Sequence, residues 1–556
     1  MRVLIANRGE IAIRIARAAD DLGLETVAVF AQDDAGALHT RRASLARALP
    51  GSGVAAYLDM TSLIAIARDT QCRWVHPGYG FLAENPRFAQ ACEAADLVFV
   101  GPDPHSLGLF GDKLRARALA KSLGVPVLPG TTEATTLAGA QAFMAAHPGA
   151  PVMVKAVAGG GGRGMRIVRS ADALPAAFAR CAAEAQAAFG DGSLYLEALI
   201  EQARHLEVQV IGDGSGAVSH LWERDCSLQR SHQKLIEVAP SPWLPAALRD
   251  PLLHAACTMA ASAKLRGLTT FEFLFDARDR FFFIEANPRL QVEHTITEAV
   301  TGVDLVQAQL RIAQGATLSQ LGLTQAQVPP PQGFAIQLRV NAEQLQPDGS
   351  ARPAVGTLSA YEPPAGPGVR VDGCGFAGAV ISPAYDSLLA KLVVHAPAGG
   401  MDAALRRARR AAAEFIVQGV ATSLPLLASL LARPEMAGFQ VHTRFIEAHA
   451  GELIAASGGP SPDITPVLPV LEDGLTALRA PLHGTVVSFE AVPGQTVAAG
   501  APLVILEAMK MQHVLEAASG GIVRELRAAV GQTVAQDDLL VLLEAADVAG
   551  AQGDGQ

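Results

Sequence analysis

Two hydrophobic periods alternate along this chain, and their order predicts its architecture. Over the first 112 residues, short apolar runs (VLIA, TVAVF, LVFVG) alternate with amphipathic stretches such as IAIRIARAADDLG. Strand, glycine turn and helix in that order predict a doubly wound α/β domain. Residues 113–205 open with a helix at 112–123 and then set two strand patterns around a glycine run. From 206 to 310 the pattern is strand after strand: LEVQVIGD, VSHLWERD, TTFEFLFD and FFFIEANPRL. A further strand-rich unit starts near Gly333 and ends near Glu447. Residues 448–478 are rich in Ala, Gly, Ser and Pro and are expected to be a linker.

Beyond the linker the pattern repeats itself. Residues 484–507 and 521–544 align without a gap at an offset of 37 and share 12 of 24 positions, including Gly-Gln-Thr-Val at 494–497 and 531–534. Each copy alternates apolar and polar residues and carries a glycine-centred turn, which predicts paired short strands. Two copies make a small flattened barrel with quasi-two-fold symmetry. The sequence Glu507-Ala508-Met509-Lys510-Met511 lies at the junction, so Lys510 is expected on the connecting turn, exposed to a modifying enzyme.

Composition narrows the class. Half of the 556 residues are apolar and 18% are charged, which is globular. A net charge of −10 argues against general nucleic-acid binding. Six scattered cysteines without CxxC spacing fit reduced thiols in a cytoplasmic protein. No apolar run reaches the ~18 residues of a membrane span. Glu10 and the immediate strand-turn-helix pattern argue against a transit peptide.

Four motifs carry chemistry. Gly159–Gly162, Arg163, Gly164 and Met165 form a glycine-rich hairpin between two strand patterns, so backbone N–H groups can close over a polyphosphate. Lys155 on the entering strand and Lys113 at the head of the preceding helix bracket it. Glu272 and Glu285 each interrupt an apolar strand, and with Asn287 they make an oxygen-ligand set suited to Mg²⁺. In Asn287-Pro288-Arg289-Leu290-Gln291-Val292-Glu293-His294, Arg289 can hold a small planar anion, Gln291 can orient it, and Glu293 is the base candidate. Finally, Glu223–Lys234 (ERDCSLQRSHQK) is a polar stretch between two strands, expected to be a loop lining the site.

These motifs, with ANRGEIAIRI, HPGYGFLAEN, GDK, RHLEVQ and QLRVNAE, strongly resemble biotin carboxylase, an ATP-grasp enzyme, over Met1 to about Glu447. The duplicated segment with EAMKM resembles the biotinyl domain of biotin-dependent carboxylases. A lipoyl domain shares that architecture but usually lacks the flanking methionines. The resemblance implies an N-terminal α/β domain at 1–112, an ATP-grasp domain at 113–325 with its lid at about 130–205, an α+β C-terminal domain at 326–447, the linker 448–478, a biotinyl domain at 479–546 and a tail at 547–556.

It also implies residue roles. Lys113, Lys155, the loop Gly160, Gly161, Gly162, Arg163, Gly164 and Met165, the hinge from Glu197 to Ile200, and His205, Gln229 and His232 would serve ATP. Lys234, Arg289, Gln291 and Val292 would hold bicarbonate, and Glu272, Glu285 and Asn287 would hold Mg²⁺ or Mn²⁺. Glu293 would be the base, Arg339 would face biotin, and biotin would be carried on Lys510. Ser231, Ala83, Ala286 and Pro288 depart from the family pattern without removing a named role. No stretch is left for a carboxyltransferase, so a separate carboxyltransferase (beta) subunit is expected, with biotin protein ligase as modifying enzyme and a homo-oligomer within a larger complex. The short linker favours an acetyl- or propionyl-CoA carboxylase of fatty acid biosynthesis. The alternative is the N-terminal portion of a longer carboxylase acting on urea, pyruvate or methylcrotonyl-CoA. Rival readings are an ATP-grasp ligase joining a carboxylate to an amine, and a biotin-bearing assembly subunit with an inactive ATP site.

Overall fold

The alternating strands and helices at the start of the chain build a five-stranded parallel sheet. Its strands are β1 (Arg2–Ile5), β2 (Glu25–Phe30), β3 (Leu45–Ala48), β4 (Cys72–His76) and β5 (Val98–Phe99), in the order β3-β2-β1-β4-β5. Val3, Leu4 and Ile5 are fully buried, as a strand covered on both faces requires. The helix Gly9–Asp21 follows β1 and buries Ile11 and Ile15 against the same core. The structure is a computed structural model that describes residues 1–157, 164–346, 350–456, 475–481, 484–508, 511–534 and 538–545. They fall into two compact units, 1–462 and 463–556.

Within the first unit the helix Lys113–Ser122 is capped by Asp112, whose side chain accepts from Arg115 N–H. A small three-stranded sheet follows, ordered β7-β6-β8, from β6 (Val152–Ala156), β7 (Met165–Val168) and β8 (Leu194–Ala198). Lys155 lies opposite Met165 on one side and Tyr195 on the other. The expected hairpin between β6 and β7 is therefore present, although Gly160, Gly161, Gly162 and Arg163 lie outside the described residues. Gly164 re-enters β7 at φ +66, a conformation that strains any residue with a Cβ.

The largest sheet has eight antiparallel strands. It comprises β9 (Arg204–Asp213), β10 (Val218–Arg230), β11 (Gln233–Ala239), β12 (Arg266–Phe275), β13 (Phe281–Asn287) and β14 (Phe334–Asn341) in the order β13-β12-β9-β10-β11-β14, continued by Leu388–Ala396 and Val369–Gly373. The sheet runs across residue 325, the border expected between two domains, because β11 pairs with β14 in the register Ile236↔Leu338. In β14 the period of two is explicit: Ile336, Leu338 and Val340 enter a core with Leu405 and Leu427, while Gln337, Arg339 and Asn341 face the other way. Each such buried aliphatic side chain contributes about 1.5–3 kcal/mol.

Two expectations are corrected here. The polar stretch 223–234 is not a loop: it is the inner half of β10, a two-residue turn at Ser231 and His232, and the start of β11. Its polarity survives burial because the side chains pair with residues on neighbouring elements, such as Arg224 with Glu207, Glu223 with Arg249 and Arg230 with Glu343. The run 448–478 is structured at both ends, with a helix Ala450–Ala456 that buries Leu453 and a strand Leu475–Arg479.

In the second unit, Leu475–Arg479, Leu539–Ala545, Gly521–Leu526 and Thr496–Val497 make one sheet in that order. Met511–Glu516, Pro502–Ala508, Gly484–Phe489 and Thr533–Val534 make the other. A shift of 37 residues carries Gly484–Phe489 onto the strand starting at Gly521, Thr496 onto Thr533 and Pro502 onto Leu539. The same shift carries Leu475–Arg479 onto Gln512–Glu516, so with these flanking strands included each sheet takes its two central strands from one repeat and its two edge strands from the other. Ala508 pairs with Met511. Lys510 lies between them in sequence, outside the described residues.

Candidate active site

Register places the polar residues of the large sheet in rows. Directly opposed residues on paired strands share a face, and Glu285 lies opposite Glu272, Glu272 opposite Glu207, and Glu207 opposite Arg224. A second row, two residues along each strand, is Asn287, Thr270 and Gln209. Four strands thus deliver one charged face, and the helix His294–Thr301, with Glu293 at its N-cap, covers part of it.

Lys234 is the hub. Its Nζ donates to Glu207 Oε2 at 2.6 Å, to Glu293 Oε1 at 2.7 Å and to Glu272 Oε1 at 3.0 Å. Burial works against the ammonium, but Glu207, then Glu272 and Glu293, hold its pKa well above the ordinary lysine value. Burial would push Glu293 up. Lys234, then Arg339 and Arg224, reverse this and hold its carboxyl well below the usual range. Glu272 is lowered in the same way, by Lys234 and then His205. His205 sits between Gln229, 2.6 Å from its Nδ1, and Glu272, 2.8 Å from its Nε2.

The anion end of the site is contiguous with this hub. Gln291 and Asn287 both donate to Glu272 Oε1, at 3.0 and 2.9 Å. Arg289 donates to Asn287 Oδ1 at 3.2 Å and pairs with Glu84 at 3.1 Å. Val292 stands half-buried in the turn before Glu293. Arg339 Nη2 donates to Glu293 Oε2 at 3.0 Å, and Arg339 Nε to the fully buried Glu237 at 2.5 Å.

The nucleotide residues divide into two groups. Lys113 lies 3.7 Å from Glu285, at the edge of the hub. Lys155 and Arg117 instead both pair with Glu197, a fully buried carboxylate on β8. Ile200 follows β8 half-buried, and His232 is exposed on the turn between β10 and β11.

Sequence reasoning missed Glu207, Glu237, Arg224 and Arg117. Glu207 and Glu237 carry the signal that singled out Glu272, an acid inside an apolar strand (LEVQV, KLIEVA). Arg224 is fully buried and spends its guanidinium on Glu207, Gln209, Thr297, Thr270 and Gln291.

The donor set fits a hard divalent cation. Four buried carboxylates (Glu207, Glu237, Glu272, Glu293) face three cations (Arg224, Lys234, Arg339), and the half-buried Glu285 adds further negative charge. His205, Glu207 and Glu272 also gather donor atoms within 4.8 Å, but Lys234 already occupies two of them. Glu285 at the edge of the cluster, and Glu272 and Asn287, whose oxygens also accept from Lys234 and Arg289, are oxygen donors of the kind Mg²⁺ takes. Among the described residues all six cysteines are unpaired, and no helix is long and apolar enough to cross a membrane.

Known proteins resemble this chain domain by domain. Residues 1–107 match the biotin carboxylase N-terminal domain, 112–321 the ATP-binding domain of the carbamoyl-phosphate synthase L chain, 337–448 the biotin carboxylase C-terminal domain, and 476–543 the biotin-requiring enzyme domain. Pyruvate carboxylase of Aspergillus niger is 45% identical over 463 residues, which is 82% of this chain and 38% of that protein. The chain thus spans well under half the length of the curated relatives it matches. A single-chain, multi-domain long-chain acyl-CoA carboxylase superposes with a TM-score of 0.73 at 43% identity, covering 99% of this chain and 51% of that one. The biotin carboxylase domain of Hydrogenobacter thermophilus 2-oxoglutarate carboxylase, solved with MgADP and bicarbonate, gives 0.78 at 39% identity, covering 81% of this chain and 98% of that one. This chain belongs to the biotin-dependent carboxylases, and carries a biotin carboxylase followed by a biotin-carrier domain.

Proposed function

We propose that the first unit uses ATP and bicarbonate to carboxylate biotin carried on Lys510, with Glu293 as base. The observation that carries this reading is the placement of the Glu293 carboxylate between Lys234 Nζ and Arg339 Nη2, on the same face as the oxygen ligands. In this reading Lys113, Lys155, His205, Gln229, His232, Gly164, Met165, the segment from Glu197 to Ile200, and the undescribed Gly160, Gly161, Gly162 and Arg163 receive ATP. Arg289, Gln291, Val292 and Lys234 receive bicarbonate. When bound at Glu272, Glu285 and Asn287, Mg²⁺ neutralises charge on the phosphates. When attached to Lys510, biotin supplies a ureido nitrogen that accepts the carboxyl group.

The chain's own residues set the order of events. Glu293 is ionised at working pH, but a carboxylate held so far down is a weak base. A phosphate or bicarbonate oxygen that draws Lys234 away loosens its hold on Glu293 and restores basicity. Glu293 then takes the bicarbonate proton as the freed oxygen attacks the γ-phosphorus and ADP leaves with the bridging electrons. Closure of the lid sheet excludes water from the labile carboxyphosphate. Arg339 keeps a cation on this face throughout.

The acceptor is inferred from the relatives. They favour the N-terminal part of a longer carboxylase over a separate acetyl- or propionyl-CoA subunit, with pyruvate as acceptor, because the curated relatives are pyruvate carboxylases. An acyl-CoA acceptor is the second reading. One observation favours it: the acyl-CoA carboxylase superposes over 99% of this chain, whereas the pyruvate carboxylase match covers 82%. In either case a carboxyltransferase domain or subunit completes the reaction. The test is ATP-dependent fixation of labelled bicarbonate by the avidin-captured native assembly, offered pyruvate or acyl-CoA thioesters. Label in an acid-stable product identifies the acceptor. ATP cleavage indifferent to bicarbonate would refute the biotin carboxylase reading.

A further inference from the structure

Glu237 lies at the centre of a closed polar ring beside the proposed base. Glu293 is the N-cap of the helix His294–Thr301, and Thr295 lies in its first turn. Thr295 Oγ1 donates to Gln337 Oε1 at 2.5 Å, Gln337 Nε2 donates to Glu237 Oε2 at 3.1 Å, Arg339 Nε donates to Glu237 Oε1 at 2.5 Å, and Arg339 Nη2 returns to Glu293 Oε2 at 3.0 Å. Glu237, Gln337 and Thr295 are fully buried. Gln337 and Glu237 are direct register partners across β11 and β14, so the strand pairing itself sets the span of the ring.

We propose that Glu237 is a positioning residue for biotin carboxylation: with Gln337 it fixes the Arg339 guanidinium and remains its counter-ion while Glu293 changes protonation. This rests on the role given to Arg339 above. A guanidinium stays charged at any working pH, so the two carboxylates it touches are not equivalent. Glu293 must gain and lose a proton. If it were the only partner of Arg339, each protonation would leave a half-buried cation without a counter-charge, which is unfavourable. Glu237 has no other salt bridge among the described residues, and it holds Nε while Glu293 holds Nη2. With Nε and Nη2 both engaged, the guanidinium plane is fixed. Burial pushes the Glu237 carboxyl up and Arg339 pulls it back down, so the pair is mutually dependent.

A double-mutant cycle on the full biotinylated chain tests this, reading carboxylation of free biotin and bicarbonate-dependent ATP cleavage separately. Glu237→Gln keeps the shape and a bond to Gln337. It is expected to lower kcat for biotin about 10²-fold, the usual scale for loss of a preorganised electrostatic group. In an Arg339→Ala background it should add less than about twofold, since a residue acting only through Arg339 is silent once Arg339 is gone. The acid limb of the ATP-cleavage pH profile should also move to lower pH, because Glu293 becomes the sole anion of Arg339. A purely structural role would not move that limb. If Glu237→Gln does not fold, Glu237→Asp, which keeps the charge but retracts it, should give a smaller loss with the same silence beside Arg339→Ala. Undiminished biotin carboxylation in a folded Glu237 variant, or losses that multiply with Arg339→Ala, would overturn the inference and leave Arg339's role standing. Full biotin carboxylation in Arg339→Ala alone would overturn both.

Discussion

Lys234→Met should convert the centre of the site from a neutralised cluster into three adjacent carboxylates. Lys234 Nζ bonds Glu207, Glu272 and Glu293 within 3.0 Å, and its side chain is only 12% exposed. Removing one partner of a buried ion pair costs about 3–5 kcal/mol, and here one cation serves three anions. Arg224 still holds Glu207, and Arg339 still holds Glu293, so the lower part of that range is expected at pH 8. The sign of the pH dependence is the sharper test. Without the ammonium, burial and mutual repulsion raise the carboxyl pKa values above their unfolded values, so the folded state binds protons first. Stability lost at pH 8 should then be recovered as pH falls towards 5.5, by about 1.4 kcal/mol per pH unit for one proton. The three tryptophans, Trp74, Trp222 and Trp243, all lie in the first unit. Urea titrations followed by their fluorescence therefore report on that unit alone. A variant equally destabilised at both pH values, or within about 1 kcal/mol of wild type at pH 8, would refute the account of Lys234 as hub.

Glu293→Gln should retain nucleotide binding while bicarbonate-dependent ATP cleavage falls by about 10²–10⁴-fold; turnover within a few-fold of wild type would remove Glu293 as base. Lys510→Arg should abolish biotinylation, seen as loss of a single biotin in the intact mass; biotin retained on another lysine would contradict the assignment. Acid should also weaken the first unit through buried histidines. Burial lowers His76 to about 3 and, with Lys391 and Arg14 acting in the same direction, holds His294 well below its usual value. The unfolded chain binds their protons first, so each contributes stability present above about pH 6.5 and lost below it, by about 1.4 kcal/mol per pH unit. A urea midpoint unchanged between pH 7.5 and 5.5 would contradict this.

Glu272 and Glu285 were legible because an acid inside an apolar strand has few inexpensive explanations. The carrier was legible because duplication shows in the letters themselves. The hub was not legible, for a reason of geometry. Arg224 and Glu207 are 17 residues apart, and Arg339 and Glu237 are 102 apart. Only strand register brings them together, and register cannot be read from one strand. The stretch ERDCSLQRSHQK misled because its composition is that of a solvated loop. Strand patterns are usually recognised by an apolar face, and here the face that matters is held by charge pairing.

The exchange of edge strands in the carrier has a consequence for how the protein is matured. Neither repeat completes a sheet from its own strands. The paired strands that flank Met509 and Lys510 come from different repeats, Pro502–Ala508 from the first and Met511–Glu516 from the second. Their sheet is completed only when its edge strand Thr533–Val534, from the second repeat, has been made and seated. A modifying enzyme that recognises this strand junction therefore acts as an inspector of finished molecules. Truncated or misfolded chains would not receive the prosthetic group, and attachment of biotin would certify that the carrier is whole.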